Sequence, residues 1–204
     1  MFVKSFTNCD GFCVSNFSRV NEAVLERWVA VLHGVAGSRL LLRCPAGTTQ
    51  ARVSNYFETN GIAGERVEFV GWGATRTEFS RLFDRMDIAL DPFPYNGGTT
   101  TCDTLWRGVP VLTMPGETVV ARIGLSILSA CGLSEFVAHS QSEYDHLVVS
   151  LATDVARLAK LRSTLRQRMK SSPFMDAQRF ARNVEAAYRQ MWRNWCAEKG
   201  QSRT

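Results

Sequence analysis

The chain has 204 residues, of which 45% are hydrophobic and 21% charged, and a formal net charge of +5. That length suits one large α/β domain with enough chain to bury a core, and the balance is that of a soluble globular protein. No apolar run approaches the ~20 residues a membrane-spanning helix needs, and the opening Met1-Phe-Val-Lys-Ser5 lacks the apolar core of a secretory signal. A cytoplasmic, reduced protein is the resulting expectation.

Residues 1–15 show no clear period and read as an irregular N-terminal segment. Asn21 is placed to cap a helix over 22–32, with Val24, Leu25, Trp28, Val31 and Leu32 on one face. A short buried strand follows at 40–44, then a helix over 49–59 that stops at Asn60-Gly61, and a strand at 67–70. A helix at 75–85 leads to a strand at 87–91. A short helix begins near Thr100 and ends at Gly108, ahead of a strand at 110–114. The pattern predicts a helix over 119–130 and a last strand at 135–138. From about 140 to 197 the pattern is helical, with Pro173 as the one clear break. Alternating strands and helices demand crossover connections, so the expected fold is a Rossmann-like, doubly wound parallel sheet with C-terminal helices, all within one unit spanning 1–204.

In such a sheet ligands bind beyond the carboxyl ends of the strands. Three glycine-bearing loops fall there, at 71–75, 91–101 and 114–118. The second carries the strongest signal: Asp91-Pro-Phe-Pro-Tyr-Asn-Gly-Gly-Thr-Thr-Thr-Cys-Asp103 joins a strand to a helix. Unpaired N–H groups and the helix dipole at such a junction favour a phosphate or diphosphate. Asp103, one turn inside the helix, is placed to accept hydrogen bonds from a ribose. A purely structural reading stands beside this one. Gly97 and Gly98 then serve only a turn needing positive φ, and Thr100 with Asp103 forms a capping box.

The six cysteines are scattered, and only Cys9 and Cys13 lie close, which gives no zinc site. Arg157, Lys160, Arg162, Arg166, Arg168 and Lys170 read as one solvated helix face. Without interleaved aromatics or a nucleic-acid motif, no nucleic-acid partner is expected. His33, His139 and His146 read as structural or solvated, so no general base is identified. Trp28, Trp106, Trp192 and Trp195 read as core or lobe-contact residues. Trp72 stands in a candidate binding loop, and Glu117 reads either as a charge near a helix start or as a sugar contact.

The run from Asp87 to Glu117 resembles the C-terminal catalytic lobe of the O-linked N-acetylglucosamine transferase family, which includes the SPINDLY-type enzymes. The likeness continues through Ala121-Arg122, Ser172-Pro173 and Tyr188-Arg-Gln-Met-Trp192, and reaches back to Asn16-Phe-Ser-Arg-Val20 and Trp28. The resemblance implies one lobe of a GT-B glycosyltransferase. The donor would be UDP-N-acetylglucosamine or a related UDP-sugar, and the acceptor a protein Ser or Thr hydroxyl. No metal and no cofactor beyond the donor are expected. Residue by residue, it puts Thr99, Thr100 and Thr101, with Gly97 and Gly98, at the diphosphate. It puts Asp103 on the ribose, Ala74 and Arg76 near the uracil, and Asn16 in the same site. Arg19 stands where the family has a lysine that meets the diphosphate. Phe79 and Gly98 stand where members of the family carry histidines. The N-terminal catalytic lobe that completes such a site is not in this sequence, and no helical repeat of about 34 residues is visible. The chain alone is therefore expected to transfer little sugar, and a non-catalytic nucleotide-binding or interaction module of the same fold is the alternative.

Overall fold

The computed structural model describes residues 10–13, 16–71 and 75–201; for Asp10–Cys13, Arg76, Phe79 and Gln201 it describes the backbone alone. Among the described residues five strands form one parallel sheet: β1 (Asp10–Cys13), β2 (Arg39–Arg43), β3 (Val67–Val70), β4 (Ile88–Leu90) and β5 (Val111–Leu112). Their order is β3-β2-β1-β4-β5. Gly11 is opposite both Leu40 and Ile88, so β1 is the central strand. Helices cross between successive strands: α1 (Glu22–Gly34), α2 (Thr48–Thr59), α3 (Arg76–Leu82) and α4 (Thr99–Trp106). They are followed by α5 (Ile123–Ala130), α6 (Gln141–Thr153), α7 (Val155–Lys170) and α8 (Ala177–Gln201). The chain winds outward from β1 to β3, then returns past β1 to β4. The strand order therefore reverses between β1 and β4, where open α/β sheets form their ligand crevice.

The doubly wound parallel sheet is as the pattern predicts. The irregular reading of 1–15 is corrected, because Asp10–Cys13 is the middle strand. Asp-Gly-Phe-Cys has no β-branched residue, and it is held by hydrogen-bonded neighbours on both edges rather than by propensity. The last predicted strand is also corrected. Ser134–Phe136 forms a helical turn, and only Val137 bridges to Thr113. The helix expected over 119–130 begins as a separate turn, Val120–Arg122, before α5. The helical tail has a second break besides Pro173, at Asp154, whose Oδ1 accepts the Arg157 N–H at 2.9 Å and starts α7.

Asn21 caps α1 as expected, its Oδ1 accepting the Val24 N–H at 3.0 Å. Val24, Leu25, Trp28, Val31 and Leu32 are all buried. They pack with the Leu40-Leu41-Leu42 triplet of β2, Ile88, Leu90, Leu112, and Tyr144 and Leu151 of α6 in one continuous core. From α7, Leu158, Leu161, Leu165 and Met169 join it.

Several of the basic residues of α7 have structural tasks. Arg162 donates to the Met86 carbonyl at 2.6 Å, Arg168 to the Gly132 carbonyl at 2.7 Å, and Arg157 lies 5.5 Å from the Phe136 ring centroid. Arg166 covers the Trp106 ring at 4.7 Å. The solvated-face reading is thus too simple, since these cations fasten the helix to the turn before β4, to the segment after α5 and to α4. Cys44, Cys102, Cys131 and Cys196 are free thiols, while Cys9 and the Cys13 side chain lie outside the described residues. No described helix is long and apolar enough to cross a membrane.

Candidate functional site

The first polar residue beyond β4 is Asp91, whose side chain is buried at 4% exposure. One carboxylate oxygen accepts the Gly97 N–H at 2.7 Å, and the other accepts the Thr113 hydroxyl at 2.8 Å. Burial pushes its pKa up to about 6, against the opposing pull of the Gly97 amide, the Thr113 hydroxyl and the Arg19 charge. The loop between Asp91 and α4 is folded back on itself around Asn96. The Asn96 amide nitrogen of the side chain donates to the Pro92 carbonyl at 3.1 Å, and its backbone N–H to the Val120 carbonyl at 3.2 Å.

Two side chains from the β1–α1 connection reach this loop. Arg19 donates from Nη1 to the Asn96 carbonyl at 2.9 Å and lies over the Tyr95 ring at 4.3 Å. Asn21 donates to the Phe93 carbonyl at 2.8 Å. The crevice at β1/β4 is therefore bridged by a guanidinium held against the loop that leads into α4.

Gly97 is needed for space rather than for backbone freedom. A Cβ built there would stand 2.6 Å from Thr101 Oγ1, 2.9 Å from Asp91 Oδ1 and 3.0 Å from Thr100 Oγ1. Its φ is not among the positive values, and Gly98 has φ −121 and ψ −89. The positive-φ reading of both glycines is thus overturned. The capping-box reading falls as well. Gly98 is the residue before the helix, no side chain caps it, and Thr100 is already inside α4. The Thr100 carbonyl accepts the Thr104 hydroxyl at 2.6 Å. A true capping box does occur at the start of α3, where Thr75 and Glu78 exchange hydrogen bonds of 3.2 and 3.1 Å.

The N-terminus of α4 is consequently open. Among the described residues no side chain accepts from the first-turn N–H groups, and Thr99, Thr100 and Thr101 grade from exposed to buried. Beside them a groove of about 670 Å³ runs between α4 and α5, lined by Gly98, Thr99, Cys102, Val119, Ile123 and Phe174. Such an N-terminus, with a guanidinium on the approaching loop, can receive an anion of two or more negative charges. Among the described residues no group of three His, Cys, Asp or Glu stands together.

Of the residues singled out from sequence, the structure gathers Arg19, Gly97, Gly98, Thr99, Thr100 and Thr101 around one loop. Asp103 is exposed one turn further along α4, and its carboxylate takes no hydrogen bond from the described residues. Asn16 is exposed at the start of the turn that carries Arg19, its Oδ1 accepting the Ser18 N–H at 3.2 Å. Ala74 and Trp72 lie outside the described residues, as does the side chain of Arg76, whose backbone opens α3. Glu117 is exposed on the loop before Val120–Arg122. Sequence reasoning missed Asp91, Asn96 and Thr113. An acidic residue directly after an apolar strand and directly before a Gly/Thr loop is the signal that could have found Asp91.

The sequence profile of glycosyl transferase family 41 matches residues 9–184. A probable UDP-N-acetylglucosamine–peptide N-acetylglucosaminyltransferase SPINDLY of Petunia hybrida is 38% identical over 185 residues, covering 89% of this chain and 20% of that protein. The solved structure of a Thermobaculum terrenum O-GlcNAc transferase mutant superimposes with a TM-score of 0.85 at 34% identity, covering 93% of this chain and 37% of that one. Sucrose-phosphate synthase from Thermosynechococcus elongatus shares the fold, with a TM-score of 0.63 at 16% identity. The fold is that of a GT-B glycosyltransferase lobe, and the chain spans 20% of the length of the curated relative from Petunia.

Proposed function

The chain belongs to glycosyl transferase family 41, and on that footing we propose that it is the donor-binding lobe of a protein O-glycosyltransferase. The donor is UDP-N-acetylglucosamine or a related UDP-sugar, and the acceptor is a Ser or Thr hydroxyl of a protein. The observation that carries the reading is the Arg19 guanidinium fastened to the loop that opens into an uncapped α4. Glycosyl transfer expels a nucleoside diphosphate, so negative charge grows on the leaving group in the transition state. Preorganised donors aimed at that charge lower the barrier. Here the donors are the first-turn N–H groups of α4, the hydroxyls of Thr99, Thr100 and Thr101, and Arg19. These groups neutralise the diphosphate without a metal ion. Asp103 accepts from the ribose, and the segment of Ala74 and Arg76 meets the uracil.

The acceptor hydroxyl must be held in line with the leaving diphosphate. In this reading the second wall of the cleft, which holds the acceptor, comes from another lobe. Support comes from α8, where Phe180, Tyr188, Trp192 and Trp195 are 69%, 67%, 63% and 51% exposed along one helix. Trp192 and Trp195 stack on each other at 5.2 Å, and their exposure puts them outside the core of this chain. An aromatic face of this kind suits a lobe contact. A cytoplasmic location goes with the reading.

Calorimetric titration tests it. UDP and UDP-N-acetylglucosamine should bind in the presence of a chelator, and more tightly than uridine. Equal affinity for UDP and uridine would remove the diphosphate from the site, an absolute need for magnesium would remove the metal-free mechanism, and preference for another nucleoside diphosphate would reassign the donor. A transfer assay with a separately produced partner lobe distinguishes an incomplete enzyme from a non-catalytic nucleotide-binding module, which would stay silent with the lobe present.

A further inference from the structure

Asp91 has no part in the reading above, yet it stands behind the loop that forms the site. It is an acidic group, 4% exposed, placed where strand β4 turns into that loop. Its two oxygens have different tasks. Oδ1 faces the loop, accepting the Gly97 N–H at 2.7 Å. Oδ2 faces β5, accepting the Thr113 hydroxyl at 2.8 Å. The start of α5 closes over the second oxygen, since a Cβ on Gly124 would stand 2.8 Å from Oδ2. One carboxyl group therefore ties together β4, the end of β5, the loop and α5. Gly97 in turn lies against Thr100 and Thr101, the first turn of α4.

We propose that Asp91 is the positioning residue of the diphosphate site: its carboxyl group holds the Gly97 amide, and through it the first turn of α4, in the conformation that receives the anion. The proposal rests on the donor-binding reading and concerns how its loop is held. An unsupported loop of two glycines and three threonines has many conformations to lose on binding, whereas a loop already fixed spends little affinity on ordering itself. A buried carboxyl group is a costly way to fix it. Taking a charge out of water is unfavourable unless it is paired and hydrogen-bonded. Two donors and the nearby guanidinium of Arg19 supply part of the compensation.

The same geometry makes the site sensitive to protons. A bound diphosphate would bring negative charge to the front of the loop while Asp91 stands at its back. Like charges disfavour joint ionisation, so anion binding should draw a proton onto Asp91 from solvent. The neutral carboxyl keeps both contacts: its carbonyl oxygen still accepts from Gly97, and its O–H donates to Thr113 Oγ1, which reverses its role. Among the charged groups of the packed elements, Arg19 of the β1–α1 turn acts on Asp91. Glu117 before α5, Arg122 at its start and Asp103 on α4 are all exposed. Residues 92–98 of the loop itself carry no charge.

The test measures UDP and uridine affinities of the wild type, Asp91→Ala and Asp91→Asn, with thermal midpoints alongside, from pH 5 to pH 8. Asp91→Ala should weaken UDP at least tenfold and leave uridine within about twofold. Asp91→Asn, which keeps an oxygen for Gly97, should restore UDP affinity to within about threefold of wild type at pH 5. Because Asn never ionises, the ratio of Asp91→Asn to wild-type affinity should then rise as pH rises toward 8; taking the ratio cancels the titration of UDP itself. Equal loss of UDP and uridine in Asp91→Ala, or an Asn variant as weak as Ala with a flat pH ratio, would overturn the proposal. If Asp91→Ala does not fold, the Asn ratio decides alone. Failure of the wild type to take UDP would instead strike the donor reading, and inorganic pyrophosphate would then read the loop in the same variants.

Discussion

Arg19 and Asn96 meet across the point where the strand order reverses: the guanidinium of one donates to the backbone carbonyl of the other at 2.9 Å. They lie 77 residues apart in the chain, on connections that leave the central strand β1 and its neighbour β4. The bond therefore depends on the order β3-β2-β1-β4-β5, which sets the β1 and β4 connections side by side. A positive charge is thus fixed beside the loop before any ligand arrives, which is the arrangement that preorganised anion sites need.

Gly97→Ala should damage the site more than Gly98→Ala. At Gly97 the added methyl meets Thr101 Oγ1 at 2.6 Å and Asp91 Oδ1 at 2.9 Å, whereas at Gly98 the nearest atom is Ile123 Cγ2 at 3.6 Å. Overpacking of this kind costs about 1–3 kcal/mol. Thermal unfolding should show the larger loss for Gly97→Ala, accompanied by weaker UDP binding. Equal effects at the two positions would contradict the crowding.

Asp103→Ala should leave thermal stability within about 0.5 kcal/mol of wild type, as expected for an exposed side chain that takes no hydrogen bond from the described residues. Its effect should appear in ligand binding alone, as a loss of roughly 1 kcal/mol or more from the ribose contact. Thr100→Ala and Thr101→Ala should each weaken UDP by roughly 1 kcal/mol. A drop in stability without a change in affinity for Asp103→Ala would return that residue to a structural role.

The Asp91 carboxyl has a pKa raised from 3.8 to about 6 in the folded protein. A raised acid binds its proton more tightly when folded, so its contribution to stability is fully present below the unfolded value and is lost as pH rises through about 6. Asp91→Asn removes that loss. The variant's stability relative to wild type should therefore increase between pH 4 and pH 7, by up to about 3 kcal/mol. Denaturant unfolding at several pH values measures it, and a difference that shrinks with rising pH would mean that ionised Asp91 is net stabilising.

The exposed face of α8 gives a spectroscopic expectation. Trp192 and Trp195 should be accessible to a neutral quencher in the isolated chain, since more than half of each is exposed. Trp28, fully buried, should remain protected. Addition of a partner lobe should shield the two α8 tryptophans and shift their emission to the blue. Unchanged quenching in a complex shown to form by another method would place the lobe contact elsewhere.

The doubly wound fold was legible in the sequence because its strands alternate with helices that carry their own stop signals, as at Asn60-Gly61 and Gly108. The central strand was not legible. Asp10–Cys13 has little strand character of its own, and its place is set by pairing with β2 and β4, which no local pattern reports. The Gly/Thr loop beyond β4 was marked as a candidate site by its glycines and threonines, though the reason for Gly97 was not legible. Its φ is unremarkable, and only the assembled structure shows Thr101 and Asp91 pressing on it. Arg19 was legible only through family resemblance, and nothing local in the sequence shows that Asp91 is buried. Burial and the Thr113 contact, made 22 residues downstream, set it apart.

Comparison of UDP with uridine on the wild type, Arg19→Ala and Arg19→Lys, in the presence of a chelator, tests the central claim most directly. The wild type should bind UDP more tightly than uridine. Arg19→Ala should lose most of that preference with uridine affinity unchanged, and Arg19→Lys, which keeps the charge, should retain most of it. A wild type that binds uridine as well as UDP, or an Arg19→Ala variant that keeps the full preference for UDP, would contradict the assignment of this loop and guanidinium to a diphosphate.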